Sequence, residues 1–515
     1  MLQASLSRFF LTVLIVTGLV AIVIAQDTLL TVSYNGKLDS INSAALNQKR
    51  FVQVFVPSGY KPGSADKYDV LYVFDGGNWN MNVVAPLQRF IQNEGQMPPT
   101  IIVSVMGIDR NIELTPTVLK SWNAPTGGAD KFLAFIKNEL IPYINKSYPS
   151  NGDNTLWGHS LGGMFVTWAM LKEPLLFKSV IAVDPSMWWD DCYVPKMAAA
   201  RLKALPDSTI TFFMSGREGP ALQEMKIDTM ETMLRKYAPP NLKWKLVTYK
   251  GESHSSLRMR ATYDGLKFTY EGQTSAIEFA PMNGIIAKGQ PYKIYYTDDT
   301  AYVHYTLDGA VPTAQSPKAS HELTVTGPAT VTYKQISNRA RYGKSTTGQF
   351  IAESLPPPTA RLHHAKPGGL TYRYYEGTGK GQPDLKTAAL VKKGILDKNF
   401  KADSLHPKNN FALLMDGYLQ IKEDGYYTFI MRAGKGSKAW IGKKLIMQWD
   451  DNANGAVFTY LMPLSKGFYP VKIESFYKKE DFNFLFYYLT PGMPASGDAV
   501  PVPFDLEYGT DENKH

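Results

Sequence analysis

The chain has 515 residues, of which 44% are hydrophobic, 12% aromatic and 20% charged. At about 100–200 residues per domain this suggests two to four domains, and the apolar share excludes a chain that is disordered throughout. A net charge of +9 with dispersed basic residues excludes a nucleic-acid partner, and the single cysteine, Cys192, excludes an internal disulfide and a cysteine-built zinc site.

Residues 1–25 read as a secretory signal peptide. Arg8 precedes an apolar stretch over 9–24, and Val23-Ile24-Ala25 allows cleavage after Ala25. The stretch is short for a membrane span of about 20 residues, nothing like a second span follows, and no Cys follows it for acylation. The expectation is an exported protein, periplasmic or extracellular, with no span in the mature chain.

Over residues 27–270 apolar strands alternate with helical patterns. Residues 51–56 (FVQVFV) alternate in period two, whereas 69–74 (DVLYVF) and 100–105 (TIIVSV) are continuous apolar runs, as strands buried on both faces require. Residues 131–148 place Phe132, Phe135, Ile136, Leu140, Ile141 and Ile144 on one helical face, with Pro142 predicting a kink or break. This alternation predicts an α/β fold with a mostly parallel sheet. Residues 275–353 carry short Thr-, Tyr- and Val-rich runs without helical periodicity, which predicts a small β-sandwich. Residues 354–367 contain Pro356-Pro357-Pro358 and read as a stiff linker. Strands return over 368–506 (GYYTFIM at 425–431, YPVKIESF at 469–476), and 507–515 form a polar tail.

Residues 156–163 (LWGHSLGG) contain Gly158-x-Ser160-x-Gly162, with a strand-like run before it and a helical apolar run after it (164–171). That context predicts a nucleophile elbow, a sharp strand-to-helix turn that exposes Ser160 at the N-terminus of a helix. Of eight histidines only His159 and His254 lie in the α/β segment. His159 adjoins the serine and diverges from it, so His254, in the loop after the strand-like 244–249, is the expected base. The expected acid is Glu218, after the strand at 210–214. Asp184, which ends the preceding strand, is the next candidate, and Glu252 and Asp228 are weaker ones. An oxyanion hole is expected from the Leu161 N–H and from Gly76 or Gly77, in the loop after an early strand. Trp188 and Trp79, together with Trp189, are candidate pocket residues and Arg110 a candidate anion grip, although core packing and a structural ion pair suit the same residues. No cofactor is expected.

The α/β segment resembles the esterase D family of α/β hydrolases, a group with siderophore, feruloyl and acetyl-xylan esterases among its relatives. The resemblance rests on VLYVFDG (70–76), GIDR (107–110), GGADKF (127–132), ELIPY (139–143), the 158–163 elbow and PSMWW (185–189). It implies Ser160 as nucleophile, His254 as base and an oxyanion hole at Gly76 or Gly77 with Leu161. The acid loop here (GRE, 216–218) is one residue shorter than the family's, and Asp184 stands where a Ser often precedes Pro-Ser. The middle segment, with YTLDG (305–309), resembles the β-sandwich appended to chitobiases. Residues 368–506 resemble PA14 domains, and where some of those hold calcium with paired Asp this chain has AGKGS (433–437). The expected activity is therefore ester hydrolysis on a carbohydrate-linked acetyl or feruloyl ester, with glycan binding by the β domains. The alternatives are a siderophore trilactone esterase and, from another class, an adhesion protein with an inactive hydrolase.

Overall fold

The computed structural model describes residues 36–510 apart from 64, 76–77, 275, 356, 360–361, 363–364, 378–382, 397–407, 449–456, 479–484, 494–499 and 502–506. The expected signal peptide, Gly76 and Gly77 fall outside the described residues. The chain forms two compact units, Met1–Gln273 and Thr274–His515.

The first unit is built on eight strands: β1 (Lys37–Ser43), β2 (Gln48–Phe55), β3 (Tyr68–Val73), β4 (Thr100–Val105), β5 (Ser150–His159), β6 (Ser179–Val183), β7 (Ile210–Arg217) and β8 (Leu242–Tyr249). They lie in the order β1-β2-β4-β3-β5-β6-β7-β8. The first two pairings, β1 with β2 and β2 with β4, are antiparallel, and every later one is parallel. Every residue of β3, β4 and β6 is buried, which is why those segments read as unbroken apolar runs. This mixed sheet, with helices between its parallel strands, is an α/β-hydrolase-like fold.

The helices in chain order are α1 (Asn78–Asn93), α2 (Arg110–Glu113), α3 (Ala129–Phe135), α4 (Ile141–Ser147), α5 (Leu161–Lys172), α6 (Trp189–Arg201), α7 (Pro220–Glu224), α8 (Ile227–Tyr237) and α9 (Leu257–Thr269). The amphipathic run at 131–148 is not one regular helix. A π-helical turn, Ile136–Leu140, joins α3 to α4, and Pro142 sits at the start of α4. A proline there has no N–H to give the preceding turn and its ring crowds that turn's carbonyl, so the wider turn lies just upstream. Helix α5 is buried along all of residues 162–171, so it has no polar face. Helix α9 packs closely on the sheet: a β-carbon at Gly265 would lie 2.7 Å from Ile181, and Trp157 Nε1 donates to Thr262 Oγ1 at 2.9 Å. No helix among the described residues is long and apolar enough to cross a membrane.

The second unit is all β apart from a short 3-10 turn among its described residues. The sequence separates a sandwich at 275–353 from a domain at 368–506, but one eight-stranded sheet runs through both. Strand Asn283–Ile286 pairs in parallel with Ser345–Ala352 on one side and with Phe458–Leu464 on the other. A β-carbon at Gly284 would lie 2.5 Å from Leu461, so the close pairing needs glycine there. The second sheet is centred on Phe411–Ile421, paired over its full length with Gly467–Tyr477. The turn at 433–437 is closed on itself: Ser437 Oγ donates to Gly434 O at 2.6 Å and accepts from Phe476 N at 3.0 Å.

Candidate active site

Ser160 stands between β5 and α5 with φ 62° and ψ −119°, the left-handed strain of a nucleophile elbow, about 1–3 kcal/mol for a non-glycine residue. Gly158 is sterically required and Gly163 is closely packed. A β-carbon at Gly158 would sit 2.2 Å from Gly162 O, and one at Gly163 would sit 3.0 Å from Pro185 Cβ. The loops after β5 and β6 are laced together, because Ser160 N–H donates to Val183 O (3.0 Å) and Ser186 N–H to Ser160 O (3.1 Å). The Ser160 hydroxyl lies 3.3 Å from that of the buried Ser186.

His254 comes to this elbow from the loop before α9. Its ring packs on that of His159, centroids 4.4 Å apart, and His159 Nε2–H donates to the His254 carbonyl at 2.7 Å. His254 Nδ1 lies 2.6 Å from Asp184 Oδ2. A carboxylate only accepts, so the imidazole carries its proton on Nδ1 and leaves Nε2 with a lone pair. Asp184 is fully buried, at φ 42°, and the same oxygen accepts from Arg217 Nε at 2.7 Å. Two donors, one of them a full positive charge, offset the cost of taking this carboxylate out of water.

The carboxylate bonded to His254 is thus Asp184, where the sequence leads one to expect Glu218. Glu218 follows β7 and is exposed, and its backbone N–H donates to Tyr249 O. The residue before it, Arg217, is the one that turns inward, to Asp184. Glu252 also points elsewhere, accepting from Ser256 Oγ at 2.5 Å, and Asp228, in the first turn of α8, accepts from Thr229 N at 2.8 Å.

The other expected site residues divide. Leu161 opens α5, and the first N–H groups of a helix have no partner within it. Gly76 and Gly77 lie outside the described residues, but Asp75 just before them has φ 54° and forms an ion pair with Arg110. Burial pushes the Asp75 carboxyl above its usual range and Arg110 opposes this. Arg110 is thus already paired within the protein. Trp188 is half-buried in a cluster with Trp122 (6.1 Å between centroids) and the buried Trp189 (5.9 Å). Trp122 had no signal in the sequence beyond its residue type. Trp79 is 62% exposed, with the Arg258 guanidinium 4.1 Å above its ring.

Arg258 was not anticipated either. It is 6% exposed and donates to Ser255 O (2.9 Å), Trp79 O (2.9 Å) and Asn80 Oδ1 (2.8 Å). Asn80 Nδ2 in turn donates to Phe74 O (3.0 Å) and Asp75 O (3.1 Å). This chain of bonds ties the His254 loop to the loop after β3, although the two are far apart in sequence.

Burial, reinforced by the neighbouring His254, pulls the His159 pKa down to about 3. In the unfolded chain a histidine titrates near 6.5. Between these values the unfolded chain binds a proton that the folded chain does not, so stability present above pH ~6.5 is lost as the pH falls towards 3. The expected result is a thermal midpoint that drops from pH 7 to pH 4, and a shallower drop in His159→Gln. An identical slope in the variant would remove His159 from the groups responsible.

Residues 43–256 match the Esterase family model and residues 366–482 the PA14 domain model. The chain thus carries an esterase-family domain on an α/β-hydrolase fold, followed by a PA14 domain. Among curated proteins it is similar to the ferri-bacillibactin esterase BesA of Bacillus subtilis, 26% identical over 174 residues, 29% of this chain and 58% of that one. It is also similar to a siderophore enterobactin esterase of Emericella nidulans, 28% identical over 150 residues, 25% of this chain and 49% of that one. The chain thus spans about half the length of these relatives. Among solved structures, an IroE-like serine hydrolase from Shewanella oneidensis is 28% identical, with TM-score 0.42, covering 45% of this chain and 79% of that one.

Proposed function

We propose that the first unit is a serine hydrolase of carboxylic esters, and that the protein is exported. The observation that carries this reading is the Nδ1–Asp184 bond of His254 beside a serine held at a strained elbow. Ser160 Oγ leaves Ser186 for His254 Nε2 and attacks the ester carbonyl as Nε2 takes its proton. The oxyanion forms against the Leu161 N–H. The imidazolium, held by Asp184, then protonates the departing alkoxide, and the acyl group remains on Ser160. Water, activated by the same imidazole, releases the acid and restores the hydroxyl.

The substrate class we favour is a siderophore ester, because the named relatives act on such esters and the partly exposed Trp188, which follows shortly after Ser186, packs on the partly exposed Trp122 with ring centroids 6.1 Å apart. A carbohydrate-linked acetyl or feruloyl ester is the second reading, supported by the appended PA14 domain. The test is kcat/KM of the full chain on enterobactin, methyl ferulate and acetylated xylan. Preference for enterobactin is expected; preference for either of the others would move the substrate to the second reading.

A further inference from the structure

Arg258, in the first turn of α9, is a buried cation whose acceptors among the described residues are all neutral: Ser255 O, Trp79 O and Asn80 Oδ1. A charge taken out of water with no opposite charge beside it costs free energy, and stacking on the Trp79 ring, 4.1 Å away, recovers part of that cost. A well-packed apolar residue would serve stability as well. The charge is therefore to be explained by what the guanidinium holds. Its Nε grips the carbonyl next to His254, and its Nη1 grips the first turn of α1. Asn80 carries the connection on to Phe74 O and Asp75 O, at the end of β3. Asp75 in turn borders the elbow, since a β-carbon at Gly162 would lie 3.5 Å from its Oδ2. His254 has two other holds, the Nδ1–Asp184 bond and the His159 bond to its carbonyl. Both come from the β5 and β6 side of the sheet, whereas Arg258 braces the loop from the β3 side.

We propose that Arg258 is a positioning residue for the Ser160 reaction, a strut that fixes the His254 loop against the start of α1 and the end of β3. A base on a loop can drift, and a displacement of about 1 Å from the productive geometry costs on the order of 100-fold in rate. A planar fork with several donors suits this work better than the point charge of a lysine, because it spans two segments of backbone at once. The proposal rests on the ester-hydrolase reading, and under it Arg258 needs no contact with substrate.

The test is the kinetics of full-chain Arg258→Gln, Arg258→Lys and Asn80→Ala on p-nitrophenyl acetate, with kcat expressed per active site titrated to completion with a fluorophosphonate. Inhibition by phenylboronic acid is measured alongside, because its tetrahedral adduct on a serine mimics the reaction intermediate. Arg258→Gln is expected to lower kcat about 10–100-fold with KM unchanged, and to weaken phenylboronic acid by a like factor. Arg258→Lys should lie between it and the parent. Arg258→Gln/Asn80→Ala should be no worse than the more damaged single variant, because the two residues form one strut. A purely structural role would lower the thermal midpoint and the titrated fraction but not kcat per site. Should Arg258→Gln fail to fold, Arg258→Lys and Asn80→Ala decide. Neither turnover nor boronate binding by the parent would remove the esterase reading and this proposal with it. Parental kcat per site in the variants, unchanged boronate affinity, or a raised KM at full kcat, which would make Arg258 a substrate contact, would overturn the proposal and leave the esterase reading standing.

Discussion

Asp184→Asn is expected to lower kcat for ester hydrolysis by about 10⁴-fold, while Glu218→Gln leaves it near the parent value. The size of the effect follows from the tautomer. Asp184 takes the Nδ1 proton of His254 at 2.6 Å and so keeps Nε2 unprotonated. An asparagine amide can present its N–H to Nδ1 instead, which moves the ring proton to Nε2, where it blocks acceptance from Ser160. Glu218 is exposed and offers the imidazole nothing. Steady-state kinetics of the two variants on p-nitrophenyl acetate check this. A large loss in Glu218→Gln with a small one in Asp184→Asn would return the acid role to the β7 loop.

Ser160→Ala should be the most damaging single change, costing about 10⁶-fold in kcat and abolishing any burst of p-nitrophenol. The Ser160→Ala/His254→Ala double variant should be little worse than either single one, because the two act in one proton transfer. Helix α5 and the Gly158–Gly163 packing do not depend on the hydroxyl, so the protein should still fold. Turnover by Ser160→Ala at the parent rate would remove this serine from the chemistry.

The elbow was legible because steric rules force a short pattern. Only glycine fits at 158, where a β-carbon would meet Gly162 O, and that demand is local. His254 was legible by elimination, with only one other histidine in the α/β segment. The carboxylate that meets His254 is not legible, because Glu218 and Asp184 each follow the end of a strand and the sequence does not show which of them turns inward. The adjacent Arg217 was the overlooked signal, since a cation beside a site implies a buried anion to receive it. The Arg258–Asn80 link joins residues 178 positions apart, a pairing that no local pattern encodes. Strand Asn283–Ile286 was missed because four residues carry too little periodicity to register.

That short strand has a consequence for how the chain can be divided. Its two neighbours come from either side of the Pro-rich segment, and the flanking Met282 N and Ala287 N donate to Thr459 Oγ1 and Tyr426 OH across the same divide. Expression boundaries drawn at the prolines would therefore cut through a continuous ladder and leave a naked, sticky β edge on each fragment. The C-terminal half of this protein should be cloned, swapped or inherited whole.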